Sequence, residues 1–230
     1  MGAFEGGRDA GTESNKRNVI ACIGPDSSFS REEHELFTST NAEKVDYYKE
    51  PSPAQKGVRK RYIFSSIGSE DKTSHAYEGC TGIVVVGRDK GTGETISLLT
   101  HHDPRSVRAD GTFLVVLKAR LTEFQSRVDP DSIDVVIFGG DLRPDLIQPH
   151  ALTHRIYHYR DTIKRLGSTA EDILKVKAHV IIGPLKTAGD SLSVYFNTKE
   201  RRLYLRRPIQ YGADPYDEVG FPYTDVAKYT

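Results

Sequence analysis

The sequence predicts an α/β (α+β layered) domain in which a mixed β-sheet sandwich packs against two main helices. Short apolar runs rich in β-branched residues, CTGIVVVG (80–87), IDVVIFGG (133–140) and KAHVIIG (177–183), have the length and composition of strands. Two longer stretches, 112–127 and 151–165, repeat apolar residues at helical spacing. Strands therefore outnumber helices, and the helices fall between groups of strands, the order of a layered domain.

In chain order, residues 1–17 are Gly, charge and Ser/Thr without periodicity, the composition of a mobile tail. Asn18–Ile23 is the first strand candidate, with Cys22 as a core residue. From Asp26 to Lys60 the chain is polar, carries a PSP stretch at 51–53 and a basic run KGVRKR at 56–61, and reads as an irregular extension with one short helix near Arg31–Thr38. YIFSSI (62–67) is a strand. CTGIVVVG and ETISLLTHH (94–102) are two strands joined through Gly91 and Gly93, which is hairpin chemistry. TFLVVLKARLTEFQSR (112–127) is a helix ended by the DPDS turn, and 133–140 is a strand closed by two glycines. The second helix, with Leu152, Ile156, Tyr159 and Ile163 on one face, is expected to stop at Gly167. Three strands follow: 177–183, 191–198 and 201–208, the last two joined by a tight TKE turn. The expected organisation is an N-terminal extension (1–60), one central domain (61–208) and an irregular coda (209–230).

Composition narrows the function. A chain of 230 residues is most simply one domain with decorated ends. Thirty-two basic residues balance thirty-two acidic ones, so no global field favours nucleic acid or an anionic membrane. Two cysteines exclude a disulfide framework and a four-cysteine zinc site, and fit a reducing compartment. No run approaches the ~18 apolar residues of a membrane span, and the N-terminus lacks the apolar core of a secretory signal. The expectation is a cytoplasmic protein; a secreted effector without a cleaved signal would look the same.

Chemistry concentrates around Cys80. A hairpin brings its two ends together, so Cys80 at the start of one strand and His101–His102 at the end of the next become neighbours, and alternation lets only one histidine face the thiol. His101 is the preferred base. The flanking Gly79, Thr81 and Gly82 are small, which admits a substrate to the sulfur and leaves backbone N–H groups for an oxyanion. Ser74 or Thr73, upstream, supplies a third polar group to orient the imidazole or the substrate amide. The competing reading of Cys80 is a buried thiol that fills space, the usual fate of cysteine.

The order of a small-residue turn and Cys80, an apolar strand, a polar hairpin, a strand ending in His101 and Pro104, then IFGG (137–140), Gly183–Pro184 and SVYFNTKERRLYLRR (193–207) resembles the chemoreceptor glutamine deamidase (CheD) family over roughly residues 70–208. Gly79 stands where that family has Ser, which is closer to the Ser-Gly-Cys of the cytotoxic necrotizing factor catalytic domain and related toxin deamidases. Ser74 stands where the family has Thr. The resemblance implies a CheD-like fold and hydrolysis of a protein glutamine to glutamate, with ammonia released. It implies Cys80 as nucleophile, His101 as acid and base, Ser74 or Thr73 as the orienting hydroxyl, and backbone N–H groups near Gly79 and Cys80 as oxyanion donors. No metal or organic cofactor is required. The partner is a protein presenting a glutamine side chain, with no role for nucleic acid or membrane. Two alternatives share these residues: a transglutaminase, in which an amine replaces water, and a catalytically silent module that holds a partner through the IFGG edge or the Tyr-rich coda.

Other signals have simpler readings. His150, His154 and His158 form a helical stripe without carboxylate or cysteine at ligand spacing. GRDKGTG lacks the Lys-Ser/Thr ending of a phosphate loop and is a hairpin turn. KGVRKR and ERRLYLRR (200–207) read as solvated, charged strand edges.

Overall fold

The computed structural model describes residues 19–25, 29–46, 62–75, 77, 80–103, 106–109, 112–139, 149–182 and 193–207, with side chains described for all of these except 23–25, 108–109, 149–160, 182 and 207. In chain order the elements are β1 (Ile20–Pro25), α1 (Arg31–Leu36), β2 (Glu43–Lys44), β3 (Tyr62–Phe64), β4 (Lys72–Ser74), β5 (Thr81–Arg88), β6 (Thr95–His102), α2 (Ser106–Ala109) and α3 (Thr112–Arg127). After a 3-10 turn at Pro130–Ser132 come β7 (Asp134–Gly139), α4 (Pro149–Leu174), β8 (His179–Ile182), β9 (Ser193–Asn197) and β10 (Arg202–Arg207).

The strands form two five-stranded mixed sheets, one ordered β3-β6-β5-β7-β8 and the other β1-β10-β9-β4-β2. Strand β5 explains the layering. Its successive residues alternate between faces, and nearly all of them are buried. Ile83 and Val85 pack with Phe113, Leu117, Leu121 and Phe124 of α3 and with Leu166 of α4. Val84 and Val86 pack instead with Val194, Phe196, Leu203 and Leu205 of the second sheet. One sheet is thus covered by helices on one face and by the other sheet on its second face, the α/β layered sandwich that the apolar runs predict. A third cluster, Phe29, Phe37, Ala42, Tyr195 and Tyr204, with Leu36 of α1 packed against it, forms on the second sheet.

The β5–β6 turn has the expected chemistry. Asp89 Oδ1 accepts from the N–H groups of Gly91 and Thr92, and Gly93 takes φ +74°, a conformation glycine adopts without steric cost.

The chain before residue 60 contributes more than an irregular extension. Strand β1 pairs in parallel with all of β10, and β2 pairs in parallel with β4. Helix α1 falls where the short helix is expected and is fixed by a capping box: Glu33 N–H donates to Ser30 Oγ, and Ser30 N–H donates to the Glu33 carboxylate. The tail (1–17), the KGVRKR run and the coda lie outside the described residues.

Helix α3 has the expected bounds, whereas α4 continues through Gly167 to Leu174. Its interior residues Leu166, Ala170 and Leu174 repeat at four-residue spacing and are buried, and that face outweighs the ~1 kcal/mol that one interior glycine costs. The helix ends instead at Lys175, whose φ of 59° is left-handed. Strand β4 was not visible in the sequence because Lys72, Thr73 and Ser74 are polar, yet all three are buried. Lys72 Nζ is matched there by Glu43 at 2.8 Å and Glu70 at 3.6 Å. Among the described residues no helix is long and apolar enough to cross a membrane.

Candidate active site

The antiparallel register pairs Thr81 with His102 and Val84 with Leu99, which sets Gly82 opposite His101. Alternation along β6 then sends the two histidines to opposite faces of the sheet. His102 lies on the helix side: its Nε2 is 2.6 Å from Thr81 Oγ1, its Nδ1 is 3.2 Å from Thr100 Oγ1, and its ring is 4.4 Å from the Phe113 ring. His101 lies on the side of the second sheet. The Tyr77 ring stacks on it at 3.8 Å with 13° between planes, and Ser74 Oγ stands 3.0 Å from its Nδ1. Cys80 belongs to the same inter-sheet cluster, with Tyr77, Val84, Leu99 and Phe138. Of the two histidines, His101 therefore shares a face with Cys80.

The same alternation separates the two upstream hydroxyls. Ser74 turns toward His101, and its hydroxyl also lies 2.6 Å from the Val45 carbonyl and 3.3 Å from Asp46 Oδ1. Thr73 points away and donates to the Val194 carbonyl at 3.2 Å within its own sheet, so it cannot orient the imidazole. The Thr81 side chain is turned to His102 on the helix face, away from the inter-sheet face that holds Cys80. The Cys80 N–H, expected as an oxyanion donor, is used in this conformation by the Tyr77 carbonyl at 3.0 Å. Gly79 lies outside the described residues.

Two glycines let the backbone and rings close around Cys80. A Cβ on Gly82 would lie 2.4 Å from Phe138 Cζ, so the missing side chain is the space that the Phe138 ring fills. Phe138 in turn contacts Tyr77, with centroids 5.4 Å apart. Gly139, from the IFGG run, has φ +114°, and a Cβ there would lie 2.6 Å from the Cys80 carbonyl oxygen.

The surroundings are dry. Cys80 is 3% exposed and Ser74 and His101 are fully buried. Burial pushes His101 down from its ordinary 6.5 to about 4; the Asp46 carboxylate and the Val45 carbonyl favour its charged form, and His75 opposes it. Burial likewise takes His102 to about 3, with His101 adding to the shift and Asp103 opposing it. Burial raises the Tyr77 phenol well above its ordinary value, and its O–H donates to the Thr100 carbonyl at 2.9 Å. At neutral pH His101 is thus a neutral imidazole able to accept a proton.

Sequence reasoning missed Tyr77, which covers the imidazole, and Val45 and Asp46, which reach the site from the chain just after β2. Tyr77 lies three residues before Cys80, just upstream of the CTGIVVVG run. Asp46 carries no local signal, because only the pairing of β2 with β4 brings it to Ser74.

Cys22 is half-buried against the outer aromatic cluster, and burial raises its thiol above the ordinary value. The side chains of His150, His154 and His158 lie outside the described residues. Among the described residues no three His, Cys, Asp or Glu side chains are grouped to hold a metal ion. The chain matches no protein-family model and no curated protein.

Proposed function

We propose that this protein is a cysteine-dependent protein glutamine deamidase, with Cys80 as nucleophile, His101 as acid and base, and Ser74 orienting the imidazole. The observation that supports it most is the Ser74 Oγ to His101 Nδ1 contact on the face that also holds Cys80. With Nδ1 engaged by the hydroxyl, Nε2 is the nitrogen that serves as base.

The reaction follows from those roles. His101 Nε2 takes the Cys80 thiol proton as the sulfur bonds to the glutamine amide carbon, and the carbonyl electrons move to oxygen. The tetrahedral intermediate collapses with cleavage of the C–N bond. His101 returns the proton to the leaving nitrogen, which departs as ammonia and leaves a thioester. Water then gives a proton to His101 and its oxygen bonds to the acyl carbon. The C–S bond breaks, the sulfur regains a proton, and the product is glutamate. No metal or organic cofactor enters any step. Substrate entry requires Tyr77 to move off the imidazole, since the resting site is covered. The Cys80 N–H becomes available to the oxyanion only if the Tyr77 backbone shifts as well, because the Tyr77 carbonyl accepts from it in the resting site.

The test is incubation of the full chain with a panel of glutamine-bearing proteins, reading ammonia and mapping Gln-to-Glu conversion by mass spectrometry, with Cys80→Ser as control. Ammonia release without added amine, absent in Cys80→Ser, supports the deamidase over a transglutaminase. Conversion that persists in Cys80→Ser contradicts it.

A further inference from the structure

We propose that Asp46 is a fourth member of the site, a positioning residue that fixes the His101 tautomer through Ser74 and stabilises the imidazolium formed when His101 takes the Cys80 proton. The inference rests on the deamidase reading for the step it assists, but its structural part stands on hydrogen-bond geometry alone.

Ser74 has one hydroxyl proton and three polar neighbours: the Val45 carbonyl at 2.6 Å, Asp46 Oδ1 at 3.3 Å and His101 Nδ1 at 3.0 Å. A carbonyl and a carboxylate only accept. Donation to Nδ1 would leave the hydroxyl lone pairs against both of these acceptors, one of them at 2.6 Å, so the proton points to Val45 or Asp46 and a Ser74 lone pair accepts from Nδ1–H of His101. That places the basic lone pair of the ring on Nε2. The carboxylate is itself held, because His75 N–H donates to the same Oδ1 at 2.9 Å. The His75 ring is anchored in turn, its Nδ1 3.2 Å from Ser193 Oγ on β9. Asp46 thus stands in a fixed place near a buried imidazole, where its negative charge favours the positive ring and offsets part of the larger opposing effect of burial. The other titratable groups around His101 are His75, which disfavours a second positive charge, His102, which is coupled to it in the same sense, the Tyr77 phenol, which burial keeps protonated, and the Cys80 thiol.

The role is testable without knowing the substrate. The full chain labelled with 15N-histidine is compared at pH 7 as parent, Asp46→Asn, Asp46→Glu and Ser74→Ala, with His101→Gln assigning the resonance. The ring-nitrogen shifts of the parent are expected to report the Nδ1–H tautomer. In Asp46→Asn the side-chain amide can donate to Ser74, reverse the hydroxyl and populate the Nε2–H tautomer, with Asp46→Glu restoring the parent pattern.

In parallel, Cys80 alkylation by iodoacetamide in a Cys22→Ser background is expected to slow about tenfold in Asp46→Asn, part of the ~10²–10⁴ that a positioned acid–base group contributes. An unchanged tautomer and an unchanged alkylation rate in a folded Asp46→Asn protein would overturn the role of Asp46. If His101→Gln leaves alkylation unchanged, the Cys80–His101 reading falls, and the tautomer alone then decides whether Asp46 positions the ring.

Discussion

His101 and His102 are adjacent in sequence and opposite in setting: one faces Ser74 and Tyr77 between the sheets, the other faces Thr81 and Phe113 beneath the helices. Their burial has a common consequence for stability. Both are neutral in the folded protein down to about 4 and about 3, against an ordinary 6.5. Between those limits the unfolded chain binds protons that the folded chain refuses, so stability rises with pH. Their contribution is complete above pH 6.5 and is lost as pH falls toward 4, at up to ~1.4 kcal/mol per pH unit for each group. The urea midpoint is expected to fall from pH 7 to pH 5, with a shallower fall in His102→Gln; a midpoint independent of pH in both proteins would contradict the neutral assignment. At this scale the sequence told that only one histidine could face Cys80, since alternation is local. The partners that select it, Ser74 and the residues after β2, are brought in by another sheet, which no local pattern encodes.

Elements were legible to the extent that their signals were periodic. Helix α3 has an uninterrupted apolar stripe and a turn directly after it, and its bounds follow from the sequence. Gly167 reads locally as a stop for helix α4, although the stripe continues through Leu166, Ala170 and Leu174. Strand β4 had no apolar signal at all, and it carries Ser74, whose hydroxyl lies 3.0 Å from His101 Nδ1.

The glycines at strand and hairpin ends yield a prediction at this scale. Gly139 combines φ +114° with a backbone oxygen 2.6 Å from any added Cβ, whereas Gly93 combines φ +74° with open space. Gly93→Ala is expected to cost ~1–2 kcal/mol from conformation alone. Gly139→Ala adds a clash against the Cys80 carbonyl and is expected to cost more, ~3 kcal/mol or above. Urea unfolding of both variants checks the order; equal losses would mean that the end of β7 yields easily and does not fix the backbone at Cys80.

Across the whole molecule, the site exists only because two sheets meet. Cys80 and His101 come from one sheet, Ser74 from the other, and Val45 and Asp46 from the chain leaving β2. The layered architecture could be read from the apolar runs, but the parallel pairing of β1 with β10 and of β2 with β4 could not, because those segments are short or polar and their partners are distant in sequence. The central claim is that this convergence makes a working pair of Cys80 and His101. The most direct measurement is the rate of Cys80 alkylation by iodoacetamide from pH 5 to 9 in a Cys22→Ser background, comparing the parent with His101→Gln and His102→Gln. The account predicts that His101→Gln slows the reaction at neutral pH at least about tenfold, while a folded His102→Gln protein keeps the parent profile. Equal rates in all three proteins, or a loss confined to His102→Gln, would contradict it.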